Sequence, residues 1–165
     1  MSHISVLILM GSDSDAAIMQ AAADVLGELE IPCEMTVASA HRSPDRVMRL
    51  VHEAPARGVK VFVVGAGAAA HLAGVVAAHT TAPVIGVPID SSALKGLDAL
   101  LSTVQMPPGV PVATVSIGKP GATNAGVLAA QILAIGDPAV GRRLDSYKQR
   151  LAERVEQAAS RLRQG

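Results

Sequence analysis

Residues 4–15 read ISVLILM and then GSDSD, so a short apolar run stops abruptly at five small or polar residues. An apolar run of this length, rich in branched side chains, is typical of a strand that is buried on both faces of a parallel sheet. The polar residues that follow it are of the types that cap and begin helices. Ala16 to Leu29 then shows the apolar periodicity of a helix. The opening of the chain therefore predicts one strand–loop–helix unit of an α/β fold.

The same order of strand, loop and helix recurs four more times along the chain. Further strands are predicted at residues 33–39, 59–64, 83–87 and 112–116, and further helices at 45–56, 68–79, 93–103 and 122–135. Alternating helices and continuously apolar strands predict a parallel sheet that is covered on both faces. Right-handed crossovers leave few topologies for five such strands. We predict a three-layer αβα, flavodoxin-like fold with the strand order 2-1-3-4-5.

The end of the chain differs in charge from the rest. Residues 142–163 contain seven basic and three acidic residues, whereas residues 1–141 contain seven basic and eleven acidic ones. We predict a single domain at residues 1–140 and an amphipathic C-terminal helix at residues 141–165, because apolar residues recur there at helical spacing. Packing of this helix on its own domain is one possibility. The low charge and the small-residue helices of the domain favour a homo-oligomer, with the helix on a neighbouring subunit.

The composition excludes several classes of protein. The 165 residues include 14 basic and 14 acidic ones, one Phe, one Tyr and no Trp, so the chain lacks the basic excess and the stacking rings of nucleic-acid-binding proteins. The only cysteine, Cys33, cannot form an intramolecular disulfide. The apolar residues 61–78 barely reach the length of a membrane span, and they contain three glycines and a histidine. We expect no signal peptide, no membrane association and a cytoplasmic location.

Polar residues concentrate in the loops after the first three predicted strands. Ligands of open α/β sheets bind beyond the carboxyl ends of the strands, where the strand order reverses, so residues 11–15, 39–44 and 65–71 should be neighbours. In the first loop, the hydroxyl of Ser12 beside free N–H groups suits a phosphate. The carboxylate of Asp15, one turn later, suits a pair of ribose hydroxyls. Helix capping is the alternative role for these residues.

The second and third loops add a cation, two histidines and flexible backbone. Arg42 offers bidentate recognition of a phosphate, and His41 beside it can exchange protons near neutral pH. The third loop, GAGAAAH at residues 65–71, permits close approach of a ligand to the backbone. It also matches the dinucleotide fingerprint weakly, with Asp90 about twenty residues further on, which supports a dinucleotide-binding protein as a rival reading. The histidine spacing and the single cysteine give no metal-site pattern, so we expect neither metal nor cofactor.

Several motifs occur together in a specific order. They are GSDSD at 11–15, SAHRSP at 39–44, GAGAAAHL at 65–72, VQMP at 104–107, PVAT at 111–114 and NAG at 124–126. As a set, over roughly residues 4–140, they resemble the N5-carboxyaminoimidazole ribonucleotide mutases of purine biosynthesis, of the class I, bacterial type. The resemblance implies a flavodoxin-like homo-octamer with active sites between subunits. It also implies an isomerase that moves a carboxylate from the exocyclic amine nitrogen to ring carbon 4 of aminoimidazole ribonucleotide, without ATP, metal or organic cofactor.

The resemblance also implies roles for individual residues, carried over by matching position. Ser12, Ser39 and Arg42 would hold the 5′-phosphate, Asp15 would bind the ribose hydroxyls, and His41 would transfer the proton. The base and the carboxylate would be surrounded by Gly65, Ala66, Gly67, Ala68, Ala69 and His71. Gln105, Met106 and Pro107 would contribute to the wall of the site, either from the same subunit or from another one.

Two positions depart from the usual pattern of the family. Ala68 stands where a glycine is usual, and Ala73 stands where a proline is usual. A residue with a Cβ does not easily adopt a positive φ, so Ala68 bears on the shape of the third loop. A related branch, the animal type, carboxylates aminoimidazole ribonucleotide directly with carbon dioxide and typically has Lys after the loop histidine. Arg42, the Gly-Ala-Gly loop and His71 favour the mutase over this alternative.

Overall fold

The computed structural model describes residues 3–163, which form one sheet with helices on both faces. The strands are β1 (Val6–Met10), β2 (Cys33–Val37), β3 (Val61–Gly67), β4 (Val84–Ile89) and β5 (Ala113–Thr114). The helices are α1 (Ala16–Glu28), α2 (Pro44–Glu53), α3 (Leu72–Ala78), α4 (Leu97–Val104), α5 (Gly118–Ala134) and α6 (Pro138–Arg163). All strand pairs are parallel, in the order β2-β1-β3-β4-β5. The predicted α/β, flavodoxin-like topology is confirmed.

The sheet separates two hydrophobic cores, because successive side chains of a strand point to opposite faces. Val6, Ile8 and Met10 of β1 pack with α1 and α5, whereas Leu7 and Leu9 pack with α2, α3 and α4. All five residues of β1 are therefore buried. Burial on both faces explains why the apolar run at the start of the chain shows no alternation of apolar and polar residues.

Two helices begin later than the sequence predicted. Helix α3 begins at Leu72 rather than at 68, and α4 begins at Leu97 rather than at 93. Left-handed residues precede both helices, with φ of 50° at Ala68 before α3 and of 51° and 83° at Lys95 and Gly96 before α4. A right-handed helix cannot continue through such a residue. In contrast, α5 begins at Gly118, four residues earlier than predicted, and β5 is only two residues long.

The C-terminal helix α6 begins at Pro138, so the predicted boundary at residue 141 lies inside it. Its first half packs on its own domain. Val140 is buried, and the Arg143 Nε donates a hydrogen bond to the Leu29 carbonyl oxygen over 2.6 Å. This places a cation at the negative end of α1. Its second half exposes apolar residues, since Val155 is 66% exposed and Leu162 is 85% exposed.

The apolar residues 61–78 are divided between two short elements. The seven residues of β3 lie inside the sheet, and the seven residues of α3 cover one face of it. Within residues 3–163, no helix combines the length and the apolar character that a membrane crossing requires.

Candidate functional site

A cavity of about 330 Å³ lies beyond the carboxyl ends of the central strands, where the strand order reverses. Its volume is within the range of small-molecule sites. It brings together nine of the residues that the sequence singled out, namely Ser12, Asp15, Ser39, His41, Arg42, Ala66, Gly67, Ala69 and His71. The predicted adjacency of the three loops is therefore a property of the folded chain.

Five other predicted residues do not line this cavity, namely Gly65, Ala68, Gln105, Met106 and Pro107. Gly65 lies inside β3, where an added Cβ would overlap the Met19 sulfur. Ala68 belongs to the same loop but is outside the lining. Gln105 and Met106 follow α4, and the Met106 sulfur lies only 3.2 Å from the position of a Cβ on Gly74 of α3. A wall formed by Gln105 and Met106 is therefore not a feature of the single chain, and its formation between subunits stays a prediction.

The first loop turns tightly at the end of β1. Ser12 caps the short turn Asp13–Asp15, since its Oγ accepts a hydrogen bond from the Ser14 backbone N–H over 3.3 Å. Ser12 therefore does act as a cap, and its binding of a phosphate stays a prediction. The same hydroxyl lies 2.9 Å from the Ser14 Oγ, which also lines the cavity and which the sequence placed in this loop without a role of its own. Two hydroxyls and the start of a helix thus face the cavity together.

The Asp15 carboxyl is the most deeply buried charged group of the site, with 6% of the residue exposed. Burial raises the pKa of this carboxyl, while hydrogen bonds from Ser12 and Ser14 and the charge of Arg42 act in the opposite direction. The Ser14 Oγ lies 3.5 Å from the Asp15 Oδ1. A carboxylate with little water around it gains from hydroxyl donors on a bound ligand.

Arg42 bridges the second loop to the first. Its Nη2 donates to the Gly11 carbonyl oxygen over 3.0 Å, and its Nε lies 3.5 Å from the Ser39 Oγ. The Ser39 Oγ also accepts a hydrogen bond from the Arg42 backbone N–H over 3.2 Å. These bonds fix the orientation of the guanidinium, which has five N–H donors and therefore keeps others for an anion.

The two histidines of the cavity form a pair. The His41 Nε2 and the His71 Nδ1 lie 2.7 Å apart, and the two rings meet edge to face with their centroids 4.9 Å apart. One of the two nitrogens must donate and the other must accept. The sequence indicated both residues but not their pairing, because the contact joins loops that are 30 residues apart.

The conformation of the third loop depends on a left-handed alanine, Ala68, and on a glycine, Gly67, that leaves space for a neighbouring side chain. Ala68 has a φ of 50°, so it does adopt the conformation that its Cβ disfavours. A Cβ on Gly67 would overlap the Ser91 Oγ, which lies in the cavity wall. Sequence reasoning missed Ser91, although its position two residues after β4 follows the same strand-end rule that indicated the other loops.

The left-handed Ala68 gives a prediction for stability. A left-handed conformation destabilises a residue that has a Cβ by about 1–2 kcal/mol relative to glycine. Glycine in turn lowers the free energy of unfolding by about 0.4–1 kcal/mol relative to alanine, because it gives the unfolded chain more conformational freedom. Ala68→Gly is therefore expected to stabilise the protein by about 0.5–1 kcal/mol, measured as a higher thermal midpoint. Ala69→Gly, at the adjacent exposed residue without a positive φ, is the matched control and is expected to lower the midpoint. A lower midpoint for Ala68→Gly as well would contradict strain at residue 68.

Among residues 3–163, no cluster of three or more His, Cys, Asp or Glu side chains is arranged to hold a metal ion. Independence from metal and cofactor stays a prediction, since it concerns the reaction rather than the geometry.

Comparisons with known proteins identify the family of the chain. The sequence model of the AIR carboxylase family matches residues 5–154. The N5-carboxyaminoimidazole ribonucleotide mutase of Bacillus subtilis is 54% identical over 155 residues, which are 94% of this chain and 96% of that protein. The mutase of Thermotoga maritima is 52% identical, over 95% of this chain and 91% of that protein. The crystal structure of Treponema denticola PurE superposes with a TM-score of 0.86 at 28% identity, covering 97% of this chain and 99% of that one. The chain belongs to the AIR carboxylase family.

Proposed function

We propose that this chain converts N5-carboxyaminoimidazole ribonucleotide to 4-carboxy-5-aminoimidazole ribonucleotide in purine biosynthesis, as an isomerase. The observation that carries the proposal is the histidine pair of His41 and His71 beside the fixed guanidinium of Arg42, in one cavity at the strand ends. Relatives that are at least half identical over nearly the whole chain bear the name of this mutase.

The two sides of the cavity suit the two ends of a ribonucleotide. On one side, Arg42 with Ser12 and Ser39 would bind the 5′-phosphate through charge-assisted and hydroxyl hydrogen bonds. Asp15, buried at the same end, would accept hydrogen bonds from the ribose hydroxyls. On the other side, the histidine pair and the small residues of the third loop leave room for the imidazole ring and its carboxylate.

The reaction conserves atoms and charge because the proton that ring carbon 4 loses is balanced by the proton that the amine nitrogen gains. The bond between the carbamate carbon and the amine nitrogen breaks, which releases carbon dioxide and leaves the electron pair on nitrogen. Ring carbon 4 then attacks the trapped carbon dioxide. His41 removes the proton from carbon 4 to restore aromaticity, and one proton returns to the amine nitrogen, so that the histidine ends as it began.

The third loop supports retention of carbon dioxide between these steps. Ala66, Gly67 and Ala69 face the cavity with small apolar surfaces and no competing nucleophile. A closed apolar pocket excludes water and holds both fragments in contact, which supplies an effective molarity that free solution lacks. Gln105, Met106 and Pro107 of another subunit would complete the wall.

A homo-octamer belongs to the same proposal. Helix α4 and the turn before it expose Leu94, Leu97, Leu101 and Val104 by 47–62%, next to the segment with Gln105 and Met106. Apolar surface of this kind is typical of protein contacts. The mass in solution, by light scattering, is expected to be eight times the 16.8 kDa of one chain. A monomer at assay concentrations would contradict the shared wall.

A cytoplasmic location is likewise a proposal.

The test of the proposed function compares two substrates in parallel. The purified protein is given N5-carboxyaminoimidazole ribonucleotide without bicarbonate, or aminoimidazole ribonucleotide with limited bicarbonate. Fast formation of the 4-carboxy product from the first, with little from the second, is the expected result. The reverse would show the direct carboxylase reaction. No product from either substrate would favour the alternative that the chain is a nucleotide-binding protein without this activity. Saturable binding of NAD would support that alternative.

A further inference from the structure

We propose that Ser102 of α4 is a positioning residue that holds the third loop, and through it His71, in the geometry that proton transfer requires. The proposal rests on the proposed mutase function. Ser102 lies outside the cavity lining, and it was not singled out from the sequence. It would act through the loop backbone and not through contact with the substrate.

The Ser102 hydroxyl is bonded to the third loop. Its Oγ accepts a hydrogen bond from the Ala70 backbone N–H over 3.0 Å. The same Oγ lies 3.4 Å from the Ala68 carbonyl oxygen, and 2.8 and 3.2 Å from the carbonyl oxygens of Asp98 and Ala99 in its own helix. A hydroxyl has one proton to donate, so it donates to one of these carbonyl groups while it accepts from Ala70. Helix α4 and the loop are thereby joined at one side chain.

The third loop needs such an attachment because its conformation is strained. Ala68, with a φ of 50°, lies two residues before Ala70. Ala70 is 1% exposed, so its N–H would find no water if the Ser102 hydroxyl were removed. An unsatisfied buried N–H and a left-handed alanine both favour relaxation of the loop. Ser102 therefore opposes a rearrangement that the loop would otherwise favour.

Relaxation of the third loop would displace His71 and so disturb the histidine pair. His71 is the residue directly after Ala70, and its own backbone N–H bonds to the Ala69 carbonyl oxygen over 2.8 Å. The 2.7 Å contact between His41 and His71 lies at the short end of the range for a hydrogen bond, so a displacement of about 1 Å would break it. The phosphate and ribose groups, in contrast, would be held by the first and second loops, to which the Ser102 hydroxyl makes no hydrogen bond.

Ser102→Ala should therefore separate turnover from binding. We expect kcat to fall about tenfold or more, because small misplacements of reacting groups cost up to about a hundredfold. We expect KM to change less than about threefold, since the phosphate contacts remain. A kcat within twofold of the unmodified enzyme, or a change in KM alone, would overturn the proposal.

Thr103→Val is the matched control. Thr103 is the next residue of the same helix, and its Oγ1 also bonds back to a helix carbonyl, that of Ala99, over 2.7 Å. It is 2% exposed and makes no side-chain hydrogen bond to the third loop. Loss of its hydroxyl tests the general effect of altering α4. We expect kcat to stay within about twofold, and an equal loss of kcat in both variants would overturn a specific role for Ser102.

Two further measurements keep the test decisive. Ser102→Cys has a side chain of similar shape, but its sulfur is a weaker hydrogen-bond acceptor than the hydroxyl oxygen. Its kcat should therefore lie between those of Ser102→Ala and the unmodified enzyme. A kcat equal to that of the unmodified enzyme would count against the proposal. A crystal structure of Ser102→Ala should show the His41–His71 distance beyond hydrogen-bond range. An unchanged loop and pair would overturn the proposal. Absence of activity in the unmodified chain would instead contradict the proposed function, which keeps the two failures distinct.

Discussion

Replacing His41 with Asn is expected to lower kcat for N5-carboxyaminoimidazole ribonucleotide by about a thousandfold or more. General acid–base catalysis contributes about 10²–10⁴-fold, and Asn cannot carry the proton that leaves ring carbon 4. Asn does retain groups that donate and accept hydrogen bonds. It can therefore replace part of the contact between His41 and His71, which is 2.7 Å long in the native pair.

Binding should survive this change, because the anionic end of the ligand is held elsewhere. The guanidinium of Arg42 is fixed by the Gly11 carbonyl oxygen, and Asp15 is held in the first loop. Calorimetric titration with the 4-carboxy product should give a Kd within about threefold of the unmodified value. A large loss of affinity together with kcat would assign His41 to binding, and an active variant would remove it from catalysis.

His52→Asn is the control for this experiment. His52 is an exposed histidine in the last turn of α2, in a groove with His79 that is separate from the cavity of the histidine pair. The same chemical change there should leave kcat and Kd as they were. If both variants lost activity alike, the loss would reflect the folding of the chain rather than proton transfer.

The fold was predictable because its signals are local. The run of residues 4–10 is apolar at six of seven positions, which is typical of a strand that is buried on both faces. Rules of connection and handedness then left few strand orders, among which 2-1-3-4-5 was the prediction. The starts of α3 and α4 were not predictable, because Ala68 and Lys95 adopt left-handed backbone that their side chains disfavour. Tertiary contacts, such as the Ser102 bond to Ala70, hold at least the first of them.

The sequence could predict which loops form the site, but it could not predict which side chains contact one another there. The strand-end rule placed Ser12, His41 and His71 in one region, because it depends only on topology. The pairing of the two histidines and the position of Ser91 against Gly67 depend on side-chain packing between distant segments. No spacing in the sequence encodes such contacts. The C-terminal helix showed the same limit, since both halves share one apolar periodicity but only the first half is buried by its own domain.

Replacing Arg42 with Ala is expected to weaken binding of the nucleotide product by about 10–100-fold, with a smaller effect on kcat. A hydrogen bond to a charged group contributes about 1.5–3 kcal/mol, and each 1.4 kcal/mol is a factor of ten in affinity. The guanidinium is held ready for the phosphate by its bonds to Gly11 and Ser39, so little ordering remains to be done on binding. Arg42→Lys should recover only part of the affinity, since an ammonium group cannot reproduce the planar fork.

Arg46→Ala distinguishes phosphate binding from the structural use of an arginine. Arg46 lies four residues further along the chain, in the first turn of α2. Its Nε donates to the Val37 carbonyl oxygen over 2.8 Å, and its Nη2 donates to the Thr36 hydroxyl over 3.0 Å. Both arginines thus bind the ends of neighbouring segments, but only Arg42 lines the cavity. If Arg42 binds the phosphate, its loss should weaken the salt dependence of binding as well as the affinity, whereas loss of Arg46 should change stability and leave both unchanged. Equal affinity of the two variants for the product would place the phosphate elsewhere in the cavity, with the Ser12 and Ser14 hydroxyls at the start of α1 as the remaining candidates.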